Sequence, residues 1–156
     1  MSSADPIKTM ETQLKELLRH KGSHVCHVEP ESTVEEAASQ MFTERVGALL
    51  VMHQEEVIGI LTERDLLNRV LAQGLNPAST FVHEVMTCEV VVVRPNITVR
   101  DAMQIVTEKR FRHLPVVENG CLLGMVSSGD LTRWIVSEEE GVIHTLMDYI
   151  YGTYPA

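Results

Sequence analysis

Val28-Glu29-Pro30-Glu31-Ser32-Thr33-Val34 and Val93-Arg94-Pro95-Asn96-Ile97-Thr98-Val99 are one opening written twice, 65 residues apart. The same offset carries Ala37 to Ala102, Arg45 to Arg110, Leu49 to Leu114, Val51 to Val116, Gly59 to Gly124 and Asp65-Leu66 to Asp130-Leu131. No gap interrupts the register from Val28–Val70 to Val93–Ile135. A period this long in a chain of 156 residues means two copies of one supersecondary unit, each half of a shared core. Such a duplication makes two related clefts.

Each copy reads as β-α-β-β-α. In the first, Val25–Val28 is a short strand, and Thr33 opens a helix with Val34, Ala37, Ala38, Met41 and Phe42 inward. Ala48–Met52 and Val57–Leu61 are strands joined by a polar turn, and Asp65–Ala72 is a helix that stops at Gly74. The second copy repeats this as strand Val90–Val93, helix Thr98–Thr107, strands Leu114–Val117 and Leu122–Val126, and helix Leu131–Val136. Ile7, Met10, Leu14 and Leu17 predict an amphipathic helix before the first copy, ending near Gly22. Val142, Ile143, Leu146, Met147 and Ile150 predict another after the second. The fold class is α+β. The organisation is helix 1–22, repeat 23–74, linker 75–86, repeat 87–136, and C-terminal helix and tail 137–156.

Composition narrows the function. Hydrophobic residues at 44% and charged ones at 22% are ordinary for a globular domain. No apolar run reaches the length of a membrane span, and the first residues lack the regions of a signal peptide. A cytoplasmic protein is expected. A net charge of −9 argues against binding nucleic acid or anionic membrane, which want a basic face. Three widely spaced cysteines make neither a disulfide framework nor a zinc pattern. In His24-Val25-Cys26-His27, extended backbone points His24 and Cys26 one way and His27 the other, whereas structural zinc wants four convergent ligands. No metal site is expected.

The chemistry concentrates at Gly59-Ile60-Leu61-Thr62-Glu63-Arg64-Asp65 and Gly124-Met125-Val126-Ser127-Ser128-Gly129-Asp130, where a strand turns into a helix. Free N–H groups at a helix N-terminus receive phosphate, the hydroxyl of Thr62 or Ser127 adds a donor, and Asp65 or Asp130 can accept from a ribose diol. The same Thr/Ser-x-x-Asp spacing is also a capping box that only stabilises the helix. Thr33-Val34-Glu35-Glu36 and Thr98-Val99-Arg100-Asp101 carry that pattern too. Spacing alone leaves both readings open.

In order and duplicated, these elements resemble the CBS domain, a regulatory module that occurs in tandem pairs (Bateman modules). The resemblance runs over roughly residues 20–136. It rests on Val85-Met86-Thr87 leading into Val90–Pro95, the two Pro-x-x-Thr-Val openings, Arg112-His113-Leu114-Pro115-Val116-Val117, and the two Gly-x-x-Thr/Ser-x-x-Asp endings. The flanking segments look like those of small stand-alone bacterial members. The resemblance implies two units packed about a pseudo-twofold axis, a homodimer of pairs, and an adenosine ligand: AMP, ADP, ATP, NAD or S-adenosylmethionine, with Mg2+ as a companion to the polyphosphates and no required cofactor. By position, Asp65 and Asp130 hold ribose, Thr62 and Ser127 touch ribose or phosphate, and Arg64 stands near the first cleft. Lys21, His24 and Cys26 line one adenine pocket, and Met86, Glu89 and Val91 the other, with Val46 a further ligand-binding candidate.

The copies disagree where phosphate would sit. Copy two has Phe111-Arg112-His113 where copy one has Val46-Gly47-Ala48, and Arg64 faces Gly129. Unequal clefts are expected, with the stronger phosphate site made by Ser127, Asp130, Arg112 and His113. An enzyme is not expected, because no nucleophile–base pair, metal set or P-loop is present. The two surviving functions are a nucleotide-sensing module that signals to a protein target in trans, and a ligand-free dimerisation scaffold.

Overall fold

The computed structural model describes residues 9–137. The expected helix over 142–150 and the tail lie outside the described residues. Within them, α1 spans Leu14–Lys21, β1 His27–Val28, α2 Val34–Glu44, β2 Ala48–His53 and β3 Glu56–Thr62. Helix α3 is Glu63–Asp65 and runs directly into a π-helical stretch, Leu66–Leu71. Then come α4 Val82–Val85, α5 Val99–Lys109, β4 His113–Glu118, β5 Cys121–Ser127 and α6 Ser128–Ser137. No helix among these residues is long and apolar enough to cross a membrane.

Local chemistry sets the boundaries. Thr33 and Thr98 cap α2 and α5, each accepting from the backbone N–H three residues on while Glu36 or Asp101 reaches back to the cap. Both helices end on an arginine in the left-handed region, Arg45 and Arg110, each at φ 57°. In the β2–β3 turn Gln54 and Glu55 take φ of 50° and 68°, and in the β4–β5 turn Asn119 and Gly120 take 51° and 77°. Two successive positive φ values suit the twist of a tight hairpin.

Strand β2 pairs in parallel with β1 and antiparallel with β3, and β4 pairs antiparallel with β5. The expected strand Val90–Val93 does not form. Only a single parallel bridge, Val93 to Val116, remains of it. In the first copy the Leu50 N–H donates to the Cys26 carbonyl at 3.1 Å, which docks the approach to β1 on β2. The residue at the equivalent place in the second copy is Pro115, which has no N–H to give to Val91. Phe42 also departs from expectation: it is 87% exposed, because the α2 stripe of Val34, Ala37 and Met41 leaves it at the edge facing outward.

Three apolar clusters build the interior. One joins Val28, Val34, Ala37, Met41, Leu49, Val51, Leu61 and Val70 of copy one with Val82 and Val85 of α4. A second joins Val93, Val99, Ala102, Leu114, Val116, Val126 and Leu131 of copy two with Leu14, Leu17 and Leu18 of α1. The helix preceding each copy therefore covers the other copy's core. The stretch 75–86 is accordingly more than a connector, since Val82 is fully buried in it. The third cluster, Ala48, Leu50 and Ile60 with Val90, Leu122 and Met125 against it, joins the copies through their sheets.

The exchange of helices explains two glycines of the duplicated motif. A Cβ on Gly59 would lie 2.6 Å from Met86 Sδ, and one on Gly124 would lie 2.8 Å from Leu18 Cδ2. Each glycine lets the covering helix approach its sheet closely.

Candidate functional site

Strand β3 delivers Thr62 to the start of α3, where the reciprocal capping bonds form. The Asp65 N–H donates to Thr62 Oγ1 at 3.2 Å, and the Thr62 N–H donates to Asp65 Oδ2 at 2.9 Å. The other carboxylate oxygen, Oδ1, accepts from Thr87 Oγ1 at 3.1 Å, with Arg69 Nε 3.8 Å away. Asp65 is 7% exposed, so its carboxylate is held by hydrogen bonds on both oxygens. Arg69 also donates to the carbonyls of Val85 and Met86, tying the end of α4 to this corner. The capping reading of the motif is therefore correct geometrically, and the carboxylate's remaining lone pairs decide what else it can do.

Beside this corner opens a cavity of about 450 Å3. Copy one contributes Gly47, Ile60, Thr62, Glu63, Arg64 and Asp65 to its wall, and the segment after α4 contributes Thr87, Glu89, Val90 and Val91. Copy two contributes Arg110, Phe111, Arg112 and His113. Arg112 and His113 line this cavity with Thr62, Arg64 and Asp65; Ser127 and Asp130 do not line it, although His113 pairs with Ser127 across β4 and β5. The reason for that lining is the packing of the two sheets face to face, which sets the N-terminal end of β4 across from the C-terminal end of β3. Arg110 is a lining residue the sequence reading did not single out. Its only signal there was that it ends α5 just before Phe111-Arg112-His113.

Arg64, Arg110 and Arg112 take part in no ion pair or side-chain hydrogen bond among the described residues. The three guanidinium groups match the three carboxylates of the wall, Glu63, Asp65 and Glu89, in number, but unlike Asp65 they are left without partners of their own. His113, half-buried, stands behind them. Burial holds its imidazole below the ordinary value, with Lys21 and Arg112 adding to that and Asp130 opposing it.

The second end is built differently. Asp130 accepts from the Ser127 N–H at 2.8 Å and its own N–H donates to Ser127 Oγ at 3.1 Å, the same capping pair. Its carboxylate, however, also takes Lys21 Nζ at 2.5 Å and Arg133 at 2.8 Å. Lys21 Nζ donates as well to the Met125 carbonyl. Burial would raise the Asp130 carboxyl, but hydrogen bonds from Lys21 and Ser127 outweigh it and hold the group below the usual carboxylate range. Lys21 and Arg133 thus engage both oxygens of the Asp130 carboxylate. Lys21 sits at the end of α1, whose His20 ring lies 5.1 Å from that of Trp134 on α6.

The remaining expected residues divide. Glu89 and Val91 line the cavity, while Met86 and Val46 pack against the copy-one core. His24 is exposed and Cys26 half-buried; neither lines this cavity.

The model of the CBS domain matches residues 14–72 and again 82–137, well over half the chain. The chain belongs to the CBS-domain family. It is 41% identical over 117 residues to the CBS domain-containing protein YhcV of Bacillus subtilis, covering 75% of this chain and 83% of that one. It is 40% identical over 129 residues to the mitochondrial CBS domain-containing protein CBSX3 of Arabidopsis thaliana, covering 80% of this chain but 63% of that protein's length. Among solved structures, a putative signal-transduction protein with CBS domains from Burkholderia ambifaria superposes with a TM-score of 0.80 at 33% identity, over 85% of this chain and 99% of that one. The tandem CBS pair is a regulatory module, and both matched segments begin at a helix that covers the opposite copy.

Proposed function

We propose that this CBS pair binds a phosphate-bearing adenosine ligand, of the AMP, ADP, ATP or NAD class, in the cavity between Thr62–Asp65 and Arg110–His113. It passes the occupancy on to a protein partner. The observation that carries the reading is the set of three unengaged arginines around one cavity in a chain of net charge −9. Its volume lies in the range of small-molecule sites, roughly 300–1,000 Å3. Arg64, Arg110 and Arg112 offer planar forks to phosphate oxygens, and Thr62 and Asp65 offer partners to ribose hydroxyls. Ile60, Val90 and Val91 offer an apolar wall for the base. S-adenosylmethionine, which is cationic at sulfur, fits three arginines less well than a phosphate does.

Ligand binding here would pull copy one's α3 and copy two's β4 together and shift the population of relative arrangements of the copies. Phe42, Leu67 and Leu71, exposed at 87%, 57% and 74%, supply apolar helical surface for a homodimer of pairs. The ligand-free scaffold is the alternative class, and those same residues are what it would use.

A thermal-shift panel of AMP, ADP, ATP, NAD and S-adenosylmethionine tests the reading. A ligand at 100 times its Kd adds about 2.7 kcal/mol to stability. The Arg64→Ala/Arg112→Ala double variant, altered only at exposed side chains, is expected to fold normally and lose the shift. A scaffold shows no shift with any of the five. A shift retained by the double variant but lost in Asp130→Ala would place the ligand at the other end and defeat the assignment.

A further inference from the structure

His24, Cys26 and Glu44 bring an imidazole nitrogen, a thiol sulfur and a carboxylate oxygen together, all within 4.8 Å of one another. His24 and Cys26 lie two apart on the extended approach to β1, so their side chains leave the same face. Glu44 is the last residue of α2, and Arg45 then turns the chain away in the left-handed conformation. Cys26 Sγ lies 3.9 Å from His24 Nε2 and 3.8 Å from Glu44 Oε2.

At those separations the Cys26 thiol donates a weak hydrogen bond to Glu44 and touches the His24 ring nitrogen. The separations are close to what a metal demands. A tetrahedral zinc with Zn–S of about 2.3 Å and Zn–N or Zn–O of about 2.1 Å sets its ligand atoms about 3.6 Å apart. Both edges therefore need to close by only a few tenths of an ångström.

We propose that His24, Cys26 and Glu44 form a binding site for a zinc-class transition-metal ion, with three protein ligands and a fourth position left to water or an outside donor. The donor set selects the metal. One sulfur, one imidazole and one carboxylate suit borderline Zn2+, whereas Ca2+ and Mg2+ want oxygen alone. On binding, Cys26 releases its proton to solvent and coordinates as thiolate. The repeat restricts the site to one copy, since the residues 65 further on are Glu89, Val91 and Lys109, which lack the thiol and place an ammonium where the carboxylate stood. The Cys26 carbonyl accepts the Leu50 N–H at 3.1 Å, so the ion would brace the point where β1 docks on β2. The site shares no residue with the nucleotide cavity and does not depend on it.

The full chain, kept reduced, is titrated with Zn2+ by calorimetry and with Co2+ as a spectroscopic stand-in. One ion per chain and a thiolate-to-cobalt charge-transfer band are expected. Cys26→Ser abolishes the band, and His24→Gln and Glu44→Gln each weaken Zn2+ binding at least about tenfold, the size of loss typical even of residues that only support a ligand. The Cys88→Ser/Cys121→Ser variant, changed at two exposed free cysteines, binds like the wild type. Absence of a thiolate–cobalt band, its survival in Cys26→Ser, or its dependence on Cys88 or Cys121 overturns the proposal. The three ligands lie at the surface or half-buried, and unchanged circular dichroism in each variant separates lost binding from lost folding.

Discussion

Asp65 and Asp130 occupy the same place in the two copies, make the same capping pair, and are neutralised by different means. Asp65 takes a neutral hydroxyl, Thr87 Oγ1, with Arg69 at 3.8 Å, and the cavity beside it keeps its own arginines unengaged. Asp130 takes two cations from within the chain, Lys21 and Arg133. One end keeps three arginines outside any ion pair, and the other has its nearby cations, Lys21 and Arg133, already paired with its carboxylate. A duplicated motif thus specifies a geometry, while the residues that arrive from neighbouring elements specify what that geometry can bind.

The exchange of covering helices makes the largest test. Leu14 is fully buried in the copy-two core, and Leu14→Ala should cost about 3 kcal/mol in chemical denaturation, within the roughly 2–5 kcal/mol seen for such truncations. Hydrogen exchange should quicken first in β4 and β5, whereas Val82→Ala should act first on β2 and β3. If Leu14→Ala loosened β2 and β3 first, the assignment of α1 to the second copy would be wrong.

Lys21→Met addresses the two carboxylates directly. It leaves Asp130 with Ser127 and Arg133 and should cost about 1–2 kcal/mol at neutral pH, modest because Lys21 is partly exposed. The sign with pH follows from the depressed Asp130 carboxyl. Its stabilisation is fully present above the ordinary value of 3.8 and is lost as pH falls through the folded-state value. Wild type and variant should therefore differ at pH 7 and converge in strong acid; a constant gap would sink the ion-pair account.

His113 provides a smaller effect of opposite origin. Its imidazole is held below 6.5, so the folded state binds fewer protons than the unfolded state as pH falls beneath that value, and stability drops. His113→Gln should flatten the stability curve between about pH 6.5 and 5. An unchanged slope would locate the acid sensitivity elsewhere.

The smallest effect concerns the strand missing from copy two. Pro115→Leu restores the N–H that Leu50 supplies in copy one, and the new bond to the Val91 carbonyl is worth about 0.5–1 kcal/mol, partly offset by the lost rigidity of proline. Protection of the amide at 115 against exchange would register it. A fully exposed amide would show that something other than proline keeps Val91 off β4.

Much of this was legible without coordinates. The helices at Thr33 and Thr98 announce themselves through their caps, the hairpins through alternating apolar runs broken by polar turns, and the duplication through its unbroken register. Phe42 misled, because helical period places it at the border of the apolar stripe and only the neighbour's shape decides which side of the border is wet. The π-helical turn of Leu66–Leu71, where the Ala72 N–H reaches back to Leu67, leaves no mark in hydrophobic pattern. At the site, the expected ligand-binding residues Thr62, Arg64, Asp65, Glu89, Val91, Arg112 and His113 all line one cavity, a meeting across the copies that spacing along the chain does not show.

The sequence by itself determined two copies of one β-α-β-β-α unit, membership of the CBS family, and the chemistry available at each motif, because those depend on spacing along the chain. Tertiary structure alone decided that α1 and α4 exchange copies, that Arg112 and Thr62 line one cavity, that Lys21 reaches Asp130, and that Glu44 meets His24 and Cys26. Each is a meeting of side chains brought together by packing of apolar faces, and that packing is set by shape in space rather than by distance in sequence.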